Sequence, residues 1–176
     1  DDREGLPITL SVIFVELASR LGVKNVAGIP LPSRFMVGYR EKTGGEFSLL
    51  DVFDGGKELT LAEAKSLVAG DAEIPAETTQ PAKKRDIILR MIRNLIGRAV
   101  ASANPAKEAL PYFNLLLALD PSAFRERLTR ARMRELSGDA AGAAEDLEWI
   151  AAHPPKEFDD AQNNALGEWL ARLRRR

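Results

Sequence analysis

The sequence predicts an α+β fold: one helix with a small three-stranded antiparallel sheet, followed by an all-α stretch. Three observations carry this expectation. Apolar residues recur at helical spacing from Leu6 to Leu21, and the period then shortens between Val26 and Asp51. A segment rich in Pro, Thr, Ala and charge separates Gly70 from Arg85. Beyond it apolar positions keep helical spacing to the end, punctuated by Asn104-Pro105, Asp120-Pro121, Gly138-Asp139 and Pro154-Pro155. The predicted organisation is a domain over 1–70, a linker over 71–85 and a helical module over 86–176.

Gly5-Leu6-Pro7 opens the first helix, since the missing N–H of a proline costs nothing at the first helical position. Ile8, Val12, Val15 and Ala18 form one stripe, and Leu10, Ile13, Leu17 and Leu21 widen it until most of the circumference is apolar. Such a helix is expected to be central and buried, with Gly22 as its stop. Val26 to Ile29, Arg34 to Tyr39 and Glu46 to Asp51 read as three strands, with turns at 42–45 and at Asp54-Gly55-Gly56. Thr60-Leu61-Ala62-Glu63 has the form of a capping box opening a short helix that runs to about Ala69. Five further helices are expected, roughly over 86–103, 106–119, 122–137, 140–152 and 158–174.

Composition bounds the function. The 176 residues are 45% hydrophobic and 29% charged, which suits a chain that buries a core. Net charge is −1, and it is balanced by halves: 11 basic and 13 acidic side chains over 1–85, then 14 and 13 over 86–176. Neither half offers the basic surface that nucleic acid or an anionic membrane requires. No apolar run approaches the roughly 18 to 20 residues of a membrane span. The absence of Cys excludes thiol catalysis and thiolate metal ligation within these residues. No cofactor is expected, and a cytoplasmic location is. The first residues, Asp1-Asp2-Arg3-Glu4, carry no signal-peptide pattern; the chain is expected to be part of a longer or processed protein.

The helical breaks are periodic. A shift of 34 residues carries Asn104-Pro105 onto Gly138-Asp139 and Pro121 onto Pro155. The same shift superposes Ala109 on Ala143, Phe113 on Leu147, Leu116 on Ile150 and Gly97 on Ala131. Paired helices with that period resemble tetratricopeptide repeats, and the last helix would serve as a cap. Small residues at Gly97, Ala109, Ala131 and Ala143 would admit close helix approach, with Phe113 and Leu147 filling the space between.

Four ordered segments add a second resemblance: Gly5-Leu6-Pro7-Ile8-Thr9-Leu10-Ser11, Arg20-Leu21-Gly22-Val23, Pro32-Ser33-Arg34-Phe35-Met36-Val37 and Leu50-Asp51-Val52-Phe53-Asp54-Gly55-Gly56. They resemble a bacterial family of transglutaminase-like proteins with C-terminal tetratricopeptide repeats. The resemblance implies a helix-plus-sheet domain, and a Cys, a His and an Asp as its acyl-transfer machinery. Counting back from Arg20-Leu21-Gly22, the Cys position falls at or next to Pro7, the His position at Arg34 and the Asp position at Asp51. Proline has no nucleophile, and an always-charged guanidinium is no general base. The resemblance also implies a further helical stretch ahead of these residues, an expected partner within the same polypeptide.

Other candidates have plain readings beside the functional ones. Asp51 precedes a Gly-Gly turn and would serve equally as a turn residue. Arg34 would either pair with Asp51 or lie on the surface. Thr9 and Ser11 near the helix start would pack or cap, lacking a base. His153, before Pro154-Pro155, suits a helix C-terminus better than a metal. Arg127, Arg130 and Arg134, with Arg125 and Arg132, would either line a groove for an acidic peptide or form a solvated face. The functional expectation is a non-catalytic adaptor that binds a protein or peptide through its helical repeats. The rival is a cysteine hydrolase or acyltransferase whose nucleophile lies outside this chain.

Overall fold

In the computed structural model, which describes residues 6–32, 34–40, 48–69 and 80–175, the first element is α1, Pro7–Arg20. Pro7 stands at the helix start as expected, and Gly22 ends the helix with a left-handed φ of 75°. Gly22 N–H donates to Ser19 at 3.1 Å and Val23 N–H to Ala18 at 2.9 Å, so two carbonyls of the last turn are satisfied.

The sheet has four strands rather than three: β1 Val26–Ile29, β2 Met36–Tyr39, β3 Ser48–Asp51 and β4 Lys57–Leu59. They form an antiparallel meander in the order β1-β2-β3-β4. The fourth strand escaped the sequence reading because it is three residues long and only Leu59 is buried, so no alternation shows. The turn expected at 42–45 lies outside the described residues. Between β3 and β4, Gly55 and Gly56 take φ values of 64° and 82°, which places the turn where it was expected.

Pairing sets the two faces. Val26, Val37, Tyr39 and Leu50 share one face, because Val26 lies opposite Tyr39 and Val37 opposite Leu50. Ile29, Met36, Leu49 and Leu59 share the other, where they pack with Leu31 and with Ala64 of α2, Leu61–Ala69. The capping box of α2 forms: Glu63 N–H donates to Thr60 Oγ1 at 3.2 Å, and Thr60 N–H to Glu63 Oε2 at 2.8 Å. That backbone N–H and the Thr60 hydroxyl hold the Glu63 carboxyl below its ordinary value of 4.5. On the first face lies α1, burying Ile8, Ser11 and Ala18. The expectation of a fully buried α1 is corrected here, since Ile13, Phe14, Leu17 and Leu21 remain exposed. The sheet covers one side of this helix, and no described residue covers the other.

The chain divides into two compact units, Asp1–Met91 and Ile92–Arg176, and the division falls within α3, Lys84–Val100. In the first unit, Ala82 N–H donates to Gly28 O at 2.9 Å. Arg90 lies over the Phe35 ring at 5.5 Å and donates to Leu31 O at 3.0 Å. Gly28 is required there, because a Cβ would come within 2.4 Å of the Phe35 ring.

In the second unit the helices are α4 Pro105–Leu119, α5 Phe124–Leu136, α6 Ala140–Ala152 and α7 Asp160–Leu173, each within a few residues of its expected span. Gly138, with φ 86°, closes α5 in the same manner as Gly22 closes α1. Ala109, Phe113 and Leu116 are buried, as are their partners under the 34-residue shift, Ala143, Leu147 and Ile150. Ala131 is fully buried too, but Gly97 is exposed: a Cβ there would meet nothing within 4 Å, so no described helix uses it for close approach. Helix α7 turns one apolar face inward. Leu166, Trp169, Leu170 and Leu173 face the core, whereas Ala161 and Ala165 are exposed; the larger apolar side chains take the buried side.

The turn after β3 gives a stability test. Nothing crowds Gly56, so Gly56→Ala should cost about 1 kcal/mol from the left-handed backbone alone. Urea denaturation of the two proteins measures it.

Candidate functional site

Asp51 ends β3 and is 5% exposed. A carboxylate so far from water needs partners, and three are present. Its Oδ1 accepts from Phe53 N–H at 3.2 Å and from Asp54 N–H at 3.3 Å, which folds the chain into the turn leading to β4. Its Oδ2 accepts from Arg34 Nη1. Arg34 sits just before β2, with its side chain 41% exposed, so the pair has one dry end and one wet end.

Helix α1 is tied to the same segment. Ser11 is 1% exposed, and its hydroxyl donates to Phe35 O at 3.0 Å, beside Arg34. That bond makes Ser11 a packing residue. Pro7 lies one helical turn before it at the start of α1, and it offers neither a side-chain donor nor an acceptor. Of the three positions Pro7, Arg34 and Asp51, the structure joins the last two directly. Pro7 stands one helical turn before Ser11, whose bond goes to Phe35, the residue after Arg34.

The helical arginines are placed differently from a row along a groove. Arg127, Arg130 and Arg134 converge on Asp146 of α6, which is 1% exposed. Arg130 Nε and Nη2 donate to its two oxygens at 2.9 and 2.6 Å, a two-pronged grip. Arg127 Nη1 reaches Oδ1 at 3.3 Å and Arg134 Nη1 reaches Oδ2 at 3.1 Å. Arg127 Nη2, Arg130 Nη1 and Arg134 Nη1 also donate to Pro121 O, Asn114 Oδ1 and Gly142 O, while the buried Arg127 Nε has no hydrogen-bond partner. Arg127 also lies over the Trp149 ring at 4.0 Å. Burial lowers the Arg127 guanidinium from its ordinary value, with Asp146 opposing that shift and Arg130 adding to it.

Asp146 was missed in the sequence, although a signal existed. It falls three residues after Ala143 and four before Ile150, a carboxylate on the apolar stripe of α6. His153 caps that helix, its Nδ1–H donating to Trp149 O at 2.9 Å while its ring stacks on Trp149 at 4.4 Å. Among the described residues no group of three or more His, Cys, Asp or Glu could hold a metal ion. No described helix is long and apolar enough to cross a membrane.

A helix laid against an antiparallel sheet is consistent with a transglutaminase-like domain. The chain belongs to the transglutaminase-like superfamily, whose family model matches residues 1–93. A UPF0162 protein of Xylella fastidiosa (strain 9a5c) is 31% identical over 152 residues, which are 82% of this chain and 53% of that protein. A UPF0162 protein from strain Temecula1 / ATCC 700964 is 34% identical over 100 residues, 53% of this chain and 34% of that protein. The F-box only protein 21 of Homo sapiens is 26% identical over 141 residues, 74% of this chain and 22% of that protein. The chain thus spans about half the length of the first relative and less of the other two. No solved structure matches it significantly.

Two stability series test the site. Asp51→Ala removes the ion pair and the one oxygen that accepts both turn amides, and should cost roughly 2 kcal/mol. Arg34→Ala leaves the two amides in place and breaks a pair open to solvent, so it should cost less, about 1 kcal/mol. Equal losses in thermal denaturation would contradict this ranking. Asp146→Ala leaves three inward guanidiniums without their shared counter-ion and should cost about 3 kcal/mol, measured by chemical denaturation.

Proposed function

We propose that this chain is a non-catalytic interaction module in which a transglutaminase-like domain is joined to tetratricopeptide-like helices. The observation that carries the reading is the Arg34–Asp51 pair. In the family's chemistry an imidazole takes a proton from a thiol while a carboxylate orients it. Here the carboxylate holds a guanidinium, which carries its charge at all accessible pH and accepts no proton. By the resemblance the nucleophile position falls at or next to Pro7, and no Cys occurs in the 176 residues.

The helical region supports the second half of the proposal. Three buried pairs repeat at 34 residues, and paired helices of that period present extended surfaces to protein segments. Arg127, Arg130 and Arg134 were the expected contacts for an acidic partner. With their charge directed to Asp146, the role left to them in such binding is to hold α5 on α6. The balanced charge disfavours nucleic acid as the partner. Location within the cell is expected to be cytoplasmic, on the sequence reading alone.

The test is recovery of a partner with this chain as bait, comparing wild type, Arg34→Ala and Arg34→Lys. A specific protein retained by wild type and lost with Arg34→Ala, at unchanged melting temperature, supports the reading and places Arg34 in the contact. The opposite result is an amidase or acyltransferase activity in the complete protein that vanishes when a Cys outside these residues is changed to Ala. That outcome favours the cysteine-enzyme alternative.

A further inference from the structure

Helix α5 presents two opposite faces. On one, Arg127, Arg130 and Arg134 reach Asp146 of α6. On the other, Arg125, Leu128 with Thr129, and Arg132 follow one another at steps of three and four. That second face borders two hollows. One, of about 360 Å³, lies between α5 and the end of α3, and Arg93, Ile96, Gly97, Phe113 and Arg125 line it. The other, of about 470 Å³, lies between α5 and α7, and Leu128, Arg132, Trp169 and Arg172 line it. Thr129 borders both, so they form one groove crossing α5. Gly97 leaves the first hollow open, since a Cβ there would meet nothing within 4 Å.

The charges of the groove are unequal in number and in exposure. Four guanidiniums, of Arg93, Arg125, Arg132 and Arg172, stand against two carboxylates, of Glu126 and Glu135. The local excess is positive, whereas the whole chain carries −1. Both acids are turned in: the Glu126 side chain is 19% exposed beside Arg93, and that of Glu135 8% exposed among Arg132, Arg172 and the Trp169 indole. The cations stay at the surface, with the side chains of Arg132 and Arg172 55% and 53% exposed. Arg125 is exposed as well and makes no ion pair among the described residues. A guanidinium carries five donors in a planar fork, so each of these keeps N–H groups for another carboxylate.

We propose that this groove binds an extended acidic peptide segment, its carboxylates on Arg125, Arg132 and Arg172 and its apolar side chains in the two hollows. The surplus of exposed guanidiniums selects an anionic partner, and the apolar lining between them selects a peptide over a phosphate backbone. The hollows flank α5, so their centres lie roughly one helix diameter, about 10 Å, apart. About three residues of extended chain cover that distance. The fitting segment therefore has bulky apolar side chains three residues apart, with Asp or Glu around them. This inference rests on the reading of the helical region as a protein-binding surface and gives that surface its residues and its ligand class. The arginines turned to Asp146 hold α5 in place, and those on its opposite face meet the partner.

The probe is a fluorescein-labelled pool of decapeptides with Leu, Phe or Trp at two positions three residues apart and Asp or Glu elsewhere. One control pool carries Lys or Arg in place of the acids, another carries Ser in place of the apolar residues, and labelled oligo-dT tests nucleic acid. Binding to this chain is read by fluorescence anisotropy. The acidic pool should bind, the basic pool at least tenfold more weakly and the Ser pool several-fold more weakly, and added sodium chloride should weaken the interaction. Arg125→Ala, which breaks no ion pair, should lower affinity several-fold; adding Arg132→Ala should bring the loss to at least tenfold, at unchanged melting temperature. Gly97→Leu fills the first hollow without changing charge, and should lower affinity several-fold while the melting temperature holds or rises. Arg34→Ala should change nothing.

Equal binding of the acidic and basic pools overturns the inference, as does an affinity indifferent to Arg125, Arg132 and Gly97. Tighter binding of oligo-dT overturns it in favour of nucleic acid. A protein partner that depends on Arg34, with no binding of the acidic pool, overturns the groove and leaves the interaction-module reading standing. Binding of the acidic pool beside an acyl-transfer activity of the complete protein supports the groove and overturns the non-catalytic reading.

Discussion

A buried carboxylate with three obligations organises the first unit. Asp51 is almost out of water, so each of its oxygens must accept a hydrogen bond or the charge would be untenable. One oxygen receives the amides of Phe53 and Asp54, and that demand bends the chain so that β4 lies beside β3. The other receives Arg34, which anchors the approach to β2. The Ser11 hydroxyl then joins α1 to the next residue, Phe35. Turn and strand entry therefore meet at one acid, and the helix joins at the residue beside its arginine partner.

The second unit repeats this logic with more cations. Asp146 enters the apolar stripe of α6 because three guanidiniums from α5 receive it. In exchange, α5 directs three of its five arginine side chains inward, while Arg125 and Arg132 stay exposed. Their stems cover apolar surface while their heads bond to carbonyls and carboxylate. Around this polar centre, Ala131 and Ala143 let the backbones approach, and Leu147 and Ile150 fill the remaining space.

Much of this was legible in the sequence, for local reasons. Glycine stops at Gly22 and Gly138, the Thr60–Glu63 box and the Gly55-Gly56 turn rest on backbone chemistry within a few residues. The 34-residue spacing was legible because burial repeats along the chain. What sequence could not supply were the long-range pairings. Lys57-Glu58-Leu59 becomes a strand only because β3 offers an edge to pair with. The arginines of α5 read as a solvated face or a groove until Asp146, from the next helix, is seen among them. The apolar circumference of α1 read as burial, yet whether a helix is buried depends on what surrounds it, and that information lies elsewhere in the chain.

On the proposed reading, the Arg34–Asp51 pair holds a charge rather than transferring a proton. A His–Asp pair works because the imidazole alternates between two protonation states near neutral pH while the carboxylate keeps it oriented. Replacing imidazole by guanidinium preserves the orientation and the positive charge but removes the alternation, since arginine remains protonated throughout the accessible range. The Arg34 side chain is still 41% exposed, so part of its donor set faces solvent while Asp51 fixes the rest. Such a group is suited to gripping a carboxylate or carbonyl of an approaching chain, with its entropy already reduced by the buried partner. On the proposed reading the family's electrostatic frame is retained, and a fixed positive charge for recognition replaces proton transfer.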